Sequence, residues 1–194
     1  YRGCPEGRAD IAHRDEIGKW LTERKLTGMG AEIGVDRGAN AATILSSWPG
    51  HLLLIDPWKT FEPGEYIDPA AAICESHYEE AMERLKGYQD RFAIYRHTSD
   101  DAAPLINDES LDFVYLDGNH HNPQVRRDIE TWWGKVKPGG LFSGHDYGDI
   151  DEPGYRCEVK TEVDRFVAAN NLEMNFSTTR EETGWSRSWL IIKP

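Results

Sequence analysis

A short apolar run, Ala31 to Val35, carries one acid, Glu32, and runs into two glycines four residues apart, Gly34 and Gly38. A helix-like segment, Ala41 to Trp48, follows and is stopped by Pro49-Gly50. A second apolar run, His51 to Ile55, then ends in another acid, Asp56. The order strand, glycine turn, helix, strand, acid leaves a chain few options. The second run is apolar throughout, as a parallel strand covered on both faces must be. Glycines between strand and helix let backbone approach a ligand, and an acid closing the next strand stands where ribose hydroxyls are gripped.

This order is the plan of a half-Rossmann unit. A dinucleotide site calls for G-x-G-x-x-G, whereas Gly34 and Gly38 are separated by three residues. The spacing points away from a pyrophosphate and towards a nucleoside cofactor without phosphates.

The rest of the chain continues the alternation. Arg8 to Lys25 places Ile11, Ile17, Trp20 and Leu21 at spacings that predict an amphipathic helix, broken by Gly28 and Gly30. Residues 57–72 hold three prolines and the aromatics Trp58, Phe61 and Tyr66, which predicts a long loop, a possible lid. A helix over Ala72 to Lys86 and strands at Phe92 to Arg96 and Leu111 to Leu116 come next. Asn122 with Pro123 predicts a helix start as N-cap and N1, with Val125, Ile129, Trp132 and Val136 on its core face. Pro138-Gly139-Gly140 leads into a strand at Leu141 to Ser143, followed by a helix at Val159 to Asn170. Strands near Met174 to Thr178 and Ser188 to Ile192 close the chain as an antiparallel edge hairpin. The fold expected is α/β: a Rossmann-like, doubly wound, mainly parallel seven-stranded sheet in one domain over residues 1–194.

Composition narrows the partners. The 194 residues fit one core. Against 34 Asp and Glu stand 22 Lys and Arg, a net charge of −12 without a basic run, which argues against a nucleic-acid partner. No stretch approaches the ~20 apolar residues that span a bilayer, and no signal-peptide pattern is present; a cytoplasmic protein without a membrane partner is expected. The sequence opens at Tyr1 rather than Met, so the natural start is expected upstream. Cys4, Cys74 and Cys157 lack metal-ligand spacing and read as reduced thiols.

Five segments in order resemble the class I S-adenosylmethionine-dependent methyltransferases, most closely the small stand-alone bacterial and phage group distantly related to sugar and phenol O-methyltransferases. They are Ala31-Glu32-Ile33-Gly34-Val35-Asp36-Arg37-Gly38, Leu54-Ile55-Asp56-Pro57-Trp58 and Phe113-Val114-Tyr115-Leu116-Asp117-Gly118-Asn119-His120. The last two are Lys137-Pro138-Gly139-Gly140-Leu141, with Gly144-His145-Asp146-Tyr147 after it, and Ser188-Trp189-Leu190-Ile191-Ile192-Lys193-Pro194. The resemblance implies S-adenosylmethionine as cofactor and a small-molecule hydroxyl as methyl acceptor. It implies a cofactor set of Glu32, Gly34, Gly38, Asp56, Trp58, Ser99, Asp100 and Asp117, with Glu32 near the methionine amino group and Asp56 on the ribose. Either Asp100 or Asp101 accepts from the adenine amino group, and the other caps a helix.

Asp117, His120, His145 and Asp146 are expected to converge beyond two neighbouring strand ends. Two chemistries use such a set. An imidazole, His120, takes the acceptor's proton beside Asp117; or Asp117, His145 and Asp146 hold Mg²⁺ or another divalent cation that acidifies the hydroxyl. His13, His51, His77 and His97 read as ordinary surface or packing residues, and Trp132 and Trp133 as core. Trp58, Phe61, Tyr66 and Tyr147 read equally as a wall over the substrate or as loop packing. A nicotinamide-dependent oxidoreductase and a non-catalytic nucleoside-cofactor-binding domain are the competing readings. Oligomeric state and the acceptor are not written in the sequence.

Overall fold

The computed structural model describes residues 11–59, 74–152, 155–177 and 187–194. A 3₁₀ turn, Arg14–Glu16, leads into helix α1, Ile17–Glu23, then strand β1, Met29–Ile33, helix α2, Ala39–Ser47, and strand β2, His51–Ile55. Helix α3, Cys74–Leu85, strand β3, Phe92–Tyr95, the short helix α4, Ser99–Ala102, and strand β4, Leu111–Leu116, follow. Helix α5, Gln124–Trp133, and strand β5, Val136–Gly144, precede a two-stranded ribbon of β6, Asp149–Glu152, and β7, Tyr155–Glu158. Helix α6, Val159–Asn170, and strands β8, Asn175–Phe176, and β9, Trp189–Ile192, complete it.

The sheet has seven strands in the order β3-β2-β1-β4-β5-β9-β8. The first five run parallel, and β9 pairs antiparallel with both β5 and β8. This is the expected doubly wound sheet with an antiparallel edge. The order reverses between β1 and β4, and a crevice opens beyond strand ends at such a reversal.

Both faces of the sheet are covered, so its strands alternate between two cores rather than between core and water. Leu52 and Leu54 pack with Trp20, Ile44, Leu45 and Trp48, while Leu53 and Ile55 pack with Ile129, Trp132 and Val163 on the other face. The same period fixes Glu32. Ala31 and Ile33 face the α5–α6 side, so Glu32 between them points to the opposite face, where α2 lies.

Several boundaries differ from expectation. The helix predicted from Arg8 is described from residue 11 on and is split into the 3₁₀ turn and α1. Asn122 does not cap α5: Pro123 is the capping residue, behind a cis Asn122–Pro123 bond, and the Asn122 amide donates to Glu162 instead. Val136 lies in β5, whose register with β4 shifts across Pro138-Gly139-Gly140: Leu111 pairs with Val136 and Phe113 with Leu141. The β6–β7 ribbon was not legible, because neither strand carries the apolar alternation that marks one. Trp132 is fully buried and Trp133 packs edge-on against Phe142 and Phe166, so both are core. Cys4, Phe61, Tyr66 and most of the loop expected at 57–72 lie outside the described residues.

Candidate active site

The glycine turn after β1 is built by packing. Gly34 has φ +86°, and a Cβ on it would stand 2.0 Å from the carbonyl oxygen of Asp117, so the ends of β1 and β4 can meet only through glycine. Gly38 has φ +70° and lies against Ala81 of α3. Both glycines thus also serve close contact between elements.

Asp56, at the end of β2, holds this turn in shape. Its Oδ2 accepts from the backbone N–H groups of Val35 at 2.9 Å and Asp36 at 3.0 Å, and its Oδ1 accepts from Trp58 N–H at 2.8 Å. Trp58 is 4% exposed; its indole N–H donates to the Asp36 carbonyl at 2.8 Å and its ring meets Tyr78 edge-on. It braces the turn from below. Asp36 and Trp58 both have positive φ, +50° and +39°, strain that the surrounding bonds hold in place. His77, read from sequence as ordinary, joins this brace: its Nδ1 lies 2.5 Å from Asp36 Oδ1 and its Nε2 2.9 Å from the Arg37 guanidinium.

Glu32 is 1% exposed. Its Oε1 accepts from the Asn40 amide of α2 at 3.0 Å, and its Oε2 is buried with no hydrogen-bond partner among the described residues. Burial pushes its pKa up to about 8; the Asn40 bond opposes this and the nearby Asp117 charge adds to it. A carboxyl left half-satisfied in the interior costs free energy unless a donor arrives. That orphan oxygen marks a ligand position.

Beyond β4 and β5 the expected constellation assembles. His120 Nε2 lies 3.6 Å from Asp117 Oδ1 and 3.3 Å from Asp146 Oδ2. His145 Nδ1 lies 3.2 Å from Asp146 Oδ2 and 3.9 Å from Asp117 Oδ1. Asp146 is a non-glycine residue at φ +49°, just beyond the end of β5. Burial disfavours the charged His120, but Asp117 and Asp146 outweigh it, and its pKa is raised. Asp146 is pushed the other way: burial resists its charge, and His145 and His120 overcome that and lower its pKa.

Asp117, His120 and Asp146 each offer a ligand atom, all within 4.8 Å of one another. Carboxylate oxygens with an imidazole nitrogen at such spacing suit a divalent cation. His145 adjoins this set rather than belonging to it, whereas the sequence reading had assigned it to the metal and left His120 as base.

Beyond β3, Ser99 opens α4 and its hydroxyl bonds to Asp128. Gln124 donates to Asp128 at 2.8 Å, to Ser99 at 3.2 Å and to Asp100 at 3.2 Å. Thr98, not Asp100 or Asp101, caps α4. Burial raises Asp128 to about 6, against the bonds from Ser99 and Gln124. Asp128 was missed, although an acid among the buried Val125, Ile129 and Trp132 of one helix face is a readable signal. Tyr147 is no lid: its hydroxyl bonds to Asp164 and its ring packs on Phe176.

These features coincide with known proteins. A family model described as a methyltransferase domain matches residues 31–147. The chain belongs to this methyltransferase family. Its sheet has the fold of the class I S-adenosylmethionine-dependent methyltransferases. The match runs from within β1 through β5 and takes in Glu32, Asp56, Asp117 and Asp146.

An O-methyltransferase from Bacillus cereus, solved in complex with S-adenosylhomocysteine, superposes with a TM-score of 0.68 over 97% of this chain and 84% of its own, at 13% identity. The 1,6-didemethyltoxoflavin-N1-methyltransferase of Burkholderia thailandensis, solved with its acceptor and S-adenosylhomocysteine, gives 0.60 over 94% and 80% at 13% identity. Both are similar in fold. Uncharacterized protein y4gI of Sinorhizobium fredii is 24% identical over 144 residues, 72% of this chain but 15% of that protein. The chain thus spans a small part of this relative's length.

Proposed function

We propose that this methyltransferase moves a methyl group from S-adenosylmethionine to a hydroxyl of a small molecule, of sugar or phenol type. The observation that carries the reading is the unpartnered Oε2 of Glu32, buried next to the Asp117–His120–Asp146 cluster. The cofactor supplies an electrophilic methyl on a sulfonium. Glu32 receives the ammonium of its amino-acid tail, and Asp56 accepts from the ribose hydroxyls with lone pairs left over from the turn. Ser99, Asp100 and Asp128 line the adenine side. Trp58, Gly34 and Gly38 act indirectly, by fixing the shape of the turn.

At the other end His120 and the two acids manage the acceptor's proton. Asp117, His120 and Asp146 fit a divalent cation, which would be held by those three atoms and would acidify a bound hydroxyl. His145 sets the orientation of Asp146. Without a cation, His120 serves as the base, drawing the hydroxyl proton once its own has left. Positioning supplies most of the acceleration in either case, since no covalent enzyme intermediate is needed. The N-methyltransferase among the similar folds makes an amine acceptor the alternative.

The test is a transfer assay that follows S-adenosylhomocysteine release with paired hydroxyl and amine acceptors on one scaffold, run with EDTA and then with Mg²⁺ or Mn²⁺ restored. Turnover of the hydroxyl member, lost to EDTA and regained with metal, supports the full reading. Turnover of the amine member alone overturns O-methylation, and a protein that binds the cofactor yet methylates nothing supports the non-catalytic reading.

A further inference from the structure

Arg14, in the 3₁₀ turn before α1, belongs to none of the motifs and lies outside the family match. Its guanidinium nevertheless stands 3.8 Å from Asp117 Oδ2, on the opposite side of that carboxylate from the two histidines, which approach Oδ1. Its charge reaches two further acids of the site, pulling against the burial that raises Glu32 and helping to hold Asp146 ionised. At 3.8 Å the contact with Asp117 is longer than a direct N–H···O bond. The side chain is 30% exposed.

An amino-acid tail is a zwitterion, and its recognition needs both signs of charge. Glu32 and Asp117 offer the negative side next to β1 and β4. The positive side has to come from elsewhere, because the turn itself contributes Asp36 and an Arg37 that points away to Glu80 and His77. We infer that Arg14 binds the α-carboxylate of the cofactor's amino-acid tail, opposite the ammonium held by Glu32. Guanidinium and carboxylate match as a two-pronged pair, which a lone ammonium cannot reproduce. Arg14 thereby selects adenosyl compounds that carry an intact amino-acid tail over those that have lost the carboxylate. The inference rests on the cofactor reading above.

The experiment is a calorimetric titration of S-adenosylhomocysteine and of its decarboxylated analogue, which keeps the ammonium, into wild type, Arg14→Gln and Arg14→Lys. Wild type should bind the intact ligand about 10–100-fold more tightly, the range of a charge-assisted bond pair. Arg14→Gln should lose that preference by weakening the intact ligand alone, and Arg14→Lys should restore part of it. Equal binding of the two ligands by wild type overturns the assignment without needing any variant, while leaving the cofactor reading in place. So does a parallel weakening of both ligands in Arg14→Gln. Failure of wild type to bind either ligand overturns the cofactor reading and this inference together.

Discussion

His120 Nε2 and Asp146 Oδ2, 3.3 Å apart, tie the end of β4 to the end of β5. Neither residue is near the other in sequence, and the contact exists because β4 and β5 are parallel neighbours, Leu116 paired with Gly144. In the proposed reaction the acceptor's proton is handled around it.

His120→Gln should therefore lower kcat by about 10²–10⁴-fold and leave S-adenosylhomocysteine affinity nearly unchanged. Because Asp117 and Asp146 raise the pKa of His120 above its ordinary 6.5, a metal-free base would hold its proton to higher pH than a free imidazole does. Its rate then climbs as pH rises through a value above 6.5. A wild-type rate flat across that range, with EDTA inactivation, assigns His120 to the cation instead.

Glu32 gives a proton-linkage prediction. With its pKa raised to about 8, the carboxyl is neutral in the free protein at pH 7. The incoming ammonium favours the ionised form, so binding should release up to one proton there, and affinity should rise with pH up to about 8. Calorimetry at pH 7 in buffers of different ionisation enthalpy measures the release directly; Glu32→Gln should abolish it.

Asp56→Ala removes the acceptor for two backbone donors of the glycine turn and for that of Trp58, as well as the proposed ribose contact. Cofactor binding should weaken by about 1–3 kcal/mol, and the unliganded protein should also lose stability. A loss of affinity with unchanged urea unfolding would show that the turn holds its shape without this carboxylate.

Glu162, 1% exposed, is clasped by Arg126 at 2.8 Å, Arg165 at 2.8 Å and Asn122 at 2.8 Å, fastening α5 to α6 behind the site. The Arg126 bond leads in lowering its pKa, to about 2, from 4.5 in the unfolded chain. A depressed carboxyl stabilises the fold above pH 4.5, and that support is lost as pH falls towards 2. Glu162→Gln should cost roughly 1–3 kcal/mol at pH 7, a gap that urea unfolding should show closing as the solution is acidified.

The parts legible in the sequence were those written in short, periodic stretches. β2, β4 and α6 stand where apolar runs and helix spacing placed them, and Glu32, Asp56, Asp117 and Asp146 each reach the same sheet edge. Tertiary partners were hidden. Asn40 pairs with Glu32 because α2 returns along the β1 face, His77 reaches Asp36 from a helix 41 residues on, and Arg14 arrives from before the first strand. Nothing in a local pattern encodes such crossings. Asn122-Pro123 read as a helix start because that pair usually is one, and here the Asn122 amide is claimed by Glu162.

The central claim is that the crevice beyond β1, β2 and β4 takes an adenosyl cofactor. Thermal unfolding with S-adenosylhomocysteine, with NAD⁺ alongside, tests it most directly. At 100 times Kd a ligand adds about 2.7 kcal/mol, so Tm should rise by roughly 5–10 °C for a domain of this size, and NAD⁺ should leave it unmoved. A shift with NAD⁺ alone, or with neither compound, contradicts the account.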